Sequence, residues 1–428
     1  MRPETRRVLV IAYYFPPMGL SGVQRTLKFV KYFPEYGWLP TVLTVDPFGY
    51  PETDETLLED LRGKDIPVIR TRAAGPGRMF AHRSSVRLPS ETRRKLMSRV
   101  SDTFFIPDNK IGWRKRAVEK ALQLHKTTPF DLIFATAPPF TDFLIGADVK
   151  AKIGKPLVLD YRDPWLDYPF KFYPTPFHKL YTKQLERRAL RASSHVITTN
   201  RRVKELLLRR YPFLTYHDVE IVPQGFDPDD IDRVRGNGST PRKPKDVMRI
   251  TYAGVFWEDR KPDVFLQALH DLFHESPDLK GHVQARFVGT FREHNKKLVE
   301  KLGLTDSVEV LDYLPHHACI RELAASDVLW VIVGDTVGSP GKTYEYIGVG
   351  KPILGLVPEG FLKNTIVEAG GRTVPPDDVP GVKQALREFY NEFRQGTLRS
   401  PDPSVIRKYD RRALTGSVVK IFELLVGE

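Results

Sequence analysis

Short apolar runs and amphipathic stretches alternate in a regular order along this chain of 428 residues. Val8-Leu-Val-Ile-Ala12 is apolar throughout, as expected of a strand buried on both faces of a parallel sheet. From there to residue 36, apolar residues recur at Val23, Leu27, Val30 and Phe33, the spacing of a helix with one buried face. Residues 41–45, 132–135, 157–159 and 196–199 predict further strands, with helices at 113–125 and 177–192. A polar stretch rich in Gly and Pro, residues 226–247, has no periodicity and is expected to be a domain linker. The alternation then restarts, with strands expected at 250–253, 284–288, 307–311, 328–333 and 352–356 and helices at 263–274, 296–302, 317–324 and 381–393. From Pro403, with Asp402 as N-cap, a final helix is expected. The pattern predicts an α/β protein of two Rossmann-like domains facing across a cleft: residues 1–225, then 248–402, with 403–428 as an added helix.

Composition narrows the class. Hydrophobic residues at 41% and charged residues at 28% exclude a disordered or low-complexity chain. The single cysteine, Cys319, excludes a disulfide framework or a thiolate metal cluster and agrees with a reducing cytosol. No apolar stretch approaches ~18 residues, so no spanning helix is expected, and the first apolar run is too short for a signal-peptide core. The formal net charge of +13 is unevenly spread. Residues 1–225 hold 38 Lys and Arg against 23 Asp and Glu, a net of +15, and the remainder hold 28 against 30, a net of −2. A basic half of this kind fits nucleic acid, an anionic membrane or phosphorylated substrates, or is simply a solvated face. With no zinc finger, RNP motif or basic heptad region, nucleic acid is not the expected partner.

In open α/β sheets ligands sit at the carboxyl ends of the strands, so the loops after them are the places to search. In the first, Gly19 and Gly22 let backbone N–H groups approach a phosphate or sugar at a helix start, where Arg25 adds a cation; a plain turn is the alternative. Asp46 fits the acid of a dinucleotide fingerprint, but G-x-G-x-x-G is absent, which demotes a dehydrogenase. Gly254 follows a strand, and Arg260 and Lys261 come just before the next helix, where adjacent cations suit a leaving diphosphate. Farther on, a Gly-Ser-Pro-Gly341 loop opens a helix near Lys342. The N–H groups of Lys342 and Thr343 fit a diphosphate and Glu345 fits ribose hydroxyls, unless this is only a capped helix with a surface glutamate. No Walker-type phosphate loop occurs.

At these residues the chain resembles the family-4 retaining glycosyltransferases of the GT-B fold, over nearly its whole length. The resemblance rests on Tyr13-Tyr-Phe-Pro-Pro17 with Gly19 and Gly22, on Thr136-Ala-Pro138-Pro139, and on Asp160-Tyr-Arg162-Asp163-Pro-Trp165. It continues through Val222-Pro-Gln-Gly-Phe-Asp227, Tyr252-Ala-Gly254 with Lys261, and Gly341-Lys-Thr-Tyr-Glu345-Tyr346 followed by Gly350-Lys-Pro-Ile353. It implies a nucleotide sugar, with a UDP-sugar the first choice, on the C-terminal domain and a glycan or lipid-linked acceptor on the N-terminal one. It also implies that the last helix crosses back to the N-terminal domain, and that the protein takes part in cell-surface polysaccharide synthesis. Glu345 would hold the ribose, the N–H groups near Lys342 and Thr343 the diphosphate, and Lys261 with Arg260 the leaving group, with no metal. Arg25, Pro138 and Trp165 fall on the acceptor side, and Arg162, Asp163 and Lys261 are the catalytic candidates. Configuration would be retained by front-face attack.

Three departures stand out. Val337 occupies the place of the family's first E-x7-E glutamate, Val255 that of a common arginine, and Arg162-Asp163 that of a common histidine. Arg162 and Asp163 position the acceptor or the donor sugar, or form a structural ion pair. The departures leave open a nucleotide-sugar-binding protein without transferase activity, and the fold also serves nucleotide-sugar epimerases. The acceptor is addressed by residues 78–116, where Arg78, Arg83, Arg87, Arg93, Arg94, Lys95 and Arg99 are opposed by few acids. If residues 90–105 are helical, Leu96, Met97, Val100 and Phe104 share one side. Such a segment rests on an anionic membrane, making the protein cytoplasmic and peripheral at the inner face, or else packs on its own domain.

Overall fold

A computed structural model describes residues 5–19, 21–47, 53–73, 91–168, 171–236, 244–256 and 260–427. The chain divides into two compact units, Met1–Pro223 with Leu414–Glu428, and Gln224–Ala413.

The first unit runs β1 (Arg6–Ile11), α1 (Gln24–Tyr32), β2 (Trp38–Val45), β3 (Val68–Thr71), α2 (Glu91–Phe104), α3 (Arg114–Thr127) and β4 (Leu132–Ala137). It continues with α4 (Thr141–Ile153), β5 (Leu157–Tyr161), α5 (Pro176–Ala192), β6 (His195–Thr198), α6 (Arg201–Arg210) and β7 (Val219–Ile221). All pairings are parallel, in the order β3-β2-β1-β4-β5-β6-β7. Val8, Leu9, Val10 and Ile11 are fully buried, which is why β1 is apolar on both faces. Helix α4 escapes a periodicity reading because Phe143, Leu144, Ile145, Ala147 and Val149 bury nearly its whole circumference. Gly146 lets it lie on the sheet: a Cβ there would stand 2.9 Å from Leu157 and 3.2 Å from Ala135.

The second unit runs α7 (Pro228–Gly236), β8 (Met248–Ala253), α8 (Asp263–Glu275), β9 (Val283–Val288), α9 (Glu293–Lys301), β10 (Val308–Leu311), α10 (His316–Ala324) and β11 (Val328–Ile332). Then follow α11 (Gly341–Val349), β12 (Ile353–Leu356), α12 (Phe361–Glu368), β13 (Arg372–Val374), α13 (Val379–Gln395), α14 (Pro403–Lys408) and α15 (Arg411–Gly427), the last passing into the first unit at Leu414. Its sheet is also parallel, in the order β10-β9-β8-β11-β12-β13. The core is aromatic: Trp330 stacks on Phe265 at 4.3 Å between ring centres, beside Phe256 and Phe287.

Two sequence expectations need correction. The stretch 226–247 is not all connection. Phe226, Ile231 and Val234 are buried in the second unit's core, and α7 is fixed to α10 by a 2.9 Å contact between Asp230 and His316. Three apolar anchors among many polar residues are too few for a composition reading to register. The final stretch is two helices, and residues 403–413 stay with the second unit. Within the first unit, Phe422 of α15 packs against Trp38, Phe33 and Phe134 at 5.1, 5.3 and 5.8 Å, and Trp38 Nε1 donates to Glu423.

Candidate active site

In the second sheet the strand order reverses between β8 and β11, so the loops after these strands open the crevice where an α/β sheet takes its ligand. Gly254 ends β8 at φ +151°, and Gly289, at φ +121°, ends β9. A Cβ on Gly289 would stand 2.4 Å from the Gly254 carbonyl oxygen, so only glycine lets the two loops approach. Arg260 reaches the β11 loop, with Nη2 3.7 Å from Asp335 Oδ2, while its Nε is buried without a partner among the described residues. Asp335 also accepts hydrogen bonds from the amides of Val337 and Gly338, fixing the loop that leads into α11. Lys261 is exposed and has no ion-pair partner among the described residues.

Helix α11 begins at Gly341 behind Pro340, without a side-chain cap, and a Cβ on Gly341 would meet only open space. The Thr343 amide donates to the Pro340 carbonyl at 3.1 Å, so it is not available to a diphosphate as the sequence predicted. The amides of Gly341 and Lys342 have no hydrogen-bond partner among the described residues and remain. The Lys342 side chain turns inward, 2.6 Å from Glu345 Oε2 and 3.6 Å from Cys319 Sγ. Burial opposes its charge, yet the facing Cys319 and Glu345 hold the ammonium above the ordinary lysine value. Burial pushes the Cys319 thiol up. Glu345, a buried carboxylate, therefore enters the site already paired. Two motif residues tie α11 to the rest of the unit. The Ala253 amide donates to the Tyr346 hydroxyl at 2.9 Å, and Gly348 leaves room for Phe226, whose ring a Cβ would meet at 2.3 Å.

The first unit has its own reversal between β1 and β4, and the candidate residues there are enclosed. Arg25, expected to face an acceptor or phosphate, is 2% exposed. Its Nε and Nη2 donate to Asp160 at 2.9–3.1 Å, Nη2 also reaches the Val222 carbonyl at 2.9 Å, and Nη1 the Pro223 carbonyl at 2.8 Å. Thr136 adds a 2.9 Å hydrogen bond to the same carboxylate. Arg162 donates to the carbonyls of Gly22, Ala137 and Pro138, clipping the end of β5, where it sits, to the end of β4 and to the loop that enters α1. Trp165 is a core residue, 1% exposed and stacked on Phe140 at 4.8 Å, so it cannot touch an acceptor from there. Asp163 is half-buried beside it, and Gly19 and Gly22 flank the start of α1. Asp142, unnoticed in the sequence, accepts from the Tyr13 amide at 2.8 Å; burial lifts its carboxyl well above the usual range, the nearby Arg162 opposing.

Asp335, Gly289, Phe226 and Gly348 were likewise missed as site-forming residues. Only Phe226 carried a signal, as part of the Gln-Gly-Phe-Asp segment.

Residues 55–230 match the family model described as Glycosyltransferase Family 4. No curated protein matches the chain significantly. Among solved structures, a sucrose-phosphate synthase from Thermosynechococcus elongatus is 16% identical with a TM-score of 0.66, covering 99% of each chain. HepE from Anabaena, in complex with UDP and glucose, is 15% identical with a TM-score of 0.61, covering 98% of this chain and 100% of its own. A putative UDP-N-acetylglucosamine 2-epimerase from Listeria monocytogenes is 12% identical with a TM-score of 0.60, covering 97% and 95%. At these identities the likeness is one of fold. Residues 55–230 are thus similar to glycosyltransferase family 4, and the chain has the two-domain GT-B fold of these solved structures.

Proposed function

We propose that the protein transfers a sugar, with retention of configuration and without a divalent ion, from a nucleotide sugar to a glycan or lipid-linked acceptor. We place it in cell-surface polysaccharide synthesis at the inner face of a membrane. The observation that carries this reading is the gathering, at the switch point of the second sheet, of exposed Lys261, Arg260 with its unpartnered Nε, and the uncapped start of α11. When the bond from sugar to diphosphate breaks, negative charge grows on the leaving oxygen. Cations and amides already fixed around it stabilise that charge most in the transition state. The amides of Gly341 and Lys342 would hold the diphosphate, Lys261 and Arg260 its developing charge, and Glu345 the ribose hydroxyls. The acceptor hydroxyl would enter on the face the diphosphate leaves, with a diphosphate oxygen taking its proton. On the acceptor side Arg162 acts through the loops it ties, while Asp163 and the Pro138 loop meet the acceptor.

HepE in complex with UDP and glucose makes UDP-sugars the first donors to try. The test is a screen of nucleotide-sugar hydrolysis, then of lipid-linked acceptors, with and without EDTA. Hydrolysis that survives EDTA and is lost on replacing Lys261 or Glu345 with Ala supports the reading. Full activity in both variants would sink the site, and an epimerised sugar as product would redirect the reaction.

A further inference from the structure

Residues 78–90 and the side chains of 91–96 lie outside those described, but the rest of α2 bears on the basic segment directly. Met97, Val100 and Phe104 share one helix face, and they are 65%, 50% and 75% exposed, so that face does not pack on the domain. The helix is nonetheless held. Asp102 sits 2.6 Å from Lys171 Nζ and accepts from the Phe172 amide at 3.1 Å, and His178 Nε2 lies 3.2 Å from the Thr103 carbonyl oxygen. These contacts fasten α2 to the start of α5, which repeats the arrangement. There Phe177, Leu180 and Tyr181 share a face at 66%, 58% and 41% exposure, with the Phe177 and Tyr181 rings stacked at 6.0 Å. With Phe172, seven of the twelve exposed large hydrophobic residues among those described fall in this one region. A soluble surface rarely gathers apolar groups so densely without a partner.

We propose that this two-helix face docks on an anionic lipid leaflet. The same two helices carry exposed cations, Arg99, Lys179 and Lys183, flanking the apolar faces, which is the combination an interfacial surface needs: rings and aliphatic chains for the acyl boundary, cations for the headgroups. A second copy of the chain fits poorly, since self-pairing sets these cations, and a half carrying +15, against their equals. Aromatic residues at the rim suit the headgroup level, where a ring is half wet. The inference deepens the membrane-borne acceptor of the reading above. Vesicle binding needs no turnover, so either can fail alone.

The test is flotation of the full chain with vesicles of phosphatidylcholine, alone or with one part in four of phosphatidylglycerol. Binding should require the anionic lipid and fall at least about tenfold when salt is raised to about 0.5 M. The triple variant Phe104→Ser/Phe177→Ser/Tyr181→Ser should lose binding while keeping its thermal unfolding and its donor hydrolysis. The charge reversal Lys179→Glu/Lys183→Glu, at exposed positions, should weaken binding at least about fivefold and decides the matter if the triple variant unfolds. The proposal is overturned if the native chain binds no vesicles or binds neutral ones equally. It is equally overturned if a folded variant binds unchanged, or if the native chain forms a dimer that the triple variant breaks.

Discussion

The two units place charged residues at the same topological position, the carboxyl ends of strands beside a switch point, and use them in opposite ways. In the first, the Arg25 guanidinium is closed by one carboxylate and two carbonyls, and Arg162 by three carbonyls, two from the end of β4 and one from the loop entering α1. In the second, Lys261 stays exposed, and among the described residues the Arg260 Nε and two amides of α11 have no partner. A donor already satisfied inside the protein has nothing left for a substrate. An unsatisfied one is costly to keep unless something binds there. Rigid loops on one side and open donors on the other are therefore different answers to the same backbone geometry.

The comparison breaks first at Arg25. Replacing it with Ala strands Asp160 as a buried, unpaired carboxylate and should destabilise the protein by about 3–5 kcal/mol in denaturant unfolding. A loss below about 1 kcal/mol would mean that the closed network is not structural. Lys261→Ala should show the reverse profile: donor hydrolysis about 10²–10³ slower, about 2.7–4 kcal/mol of transition-state stabilisation, with unfolding unchanged within about 0.5 kcal/mol. If Lys261→Ala instead lowers stability and spares hydrolysis, the open cation belongs to the fold.

Gly348 sharpens the contrast from the packing side. Gly348→Val places carbon where the Phe226 ring lies and should cost about 1–3 kcal/mol through displacement of α11. Combined with Phe226→Ala, the loss should be smaller than the sum of the two single changes. Strict additivity would show that the ring does not hold the helix.

The fold was largely legible because long apolar runs such as 8–12 and 328–333 are buried on both faces and can hardly be anything else. What escaped was short or uniform. β7 and β13 have three residues each, too few for a pattern, and α4 is apolar nearly all round. The motifs pointed to loops that lie at the second unit's switch point, but did not tell the state of their donors. Whether a guanidinium is open or closed depends on partners far away in sequence, 135 residues in the case of Arg25 and Asp160. Trp165 looked like an acceptor contact because an aromatic beside a polar motif reads the same whether it faces in or out. Asp335 was missed because its value lies in two backbone amides and one distant arginine, none of which its neighbours announce.

Glu186 gives the most selective test of how the first unit treats charge. This carboxyl on α5 is fully buried, accepts from the Tyr211 hydroxyl at 2.6 Å, and has Arg210 no nearer than 4.0 Å. Its other oxygen is without a partner among the described residues. Burial, with the Asp167 charge adding to it, outweighs the Tyr211 hydroxyl, Arg210 and the Leu166 amide and pushes the group up to about 7. Because the folded state holds the proton more tightly than the unfolded chain, the contribution to stability is complete below the ordinary value near 4.5. It is lost as pH rises from there to about 7, and is constant above. Unfolding free energy should therefore fall through that window, by at most about 1.4 kcal/mol per pH unit, on top of the background from other groups. Glu186→Gln keeps an acceptor for Tyr211 and cannot ionise, so the difference between native protein and variant isolates this one group. A difference that stays flat from pH 5 to 7 would mean that water or Arg210 reaches the carboxylate, and that the first unit's charges are less closed than their distances imply.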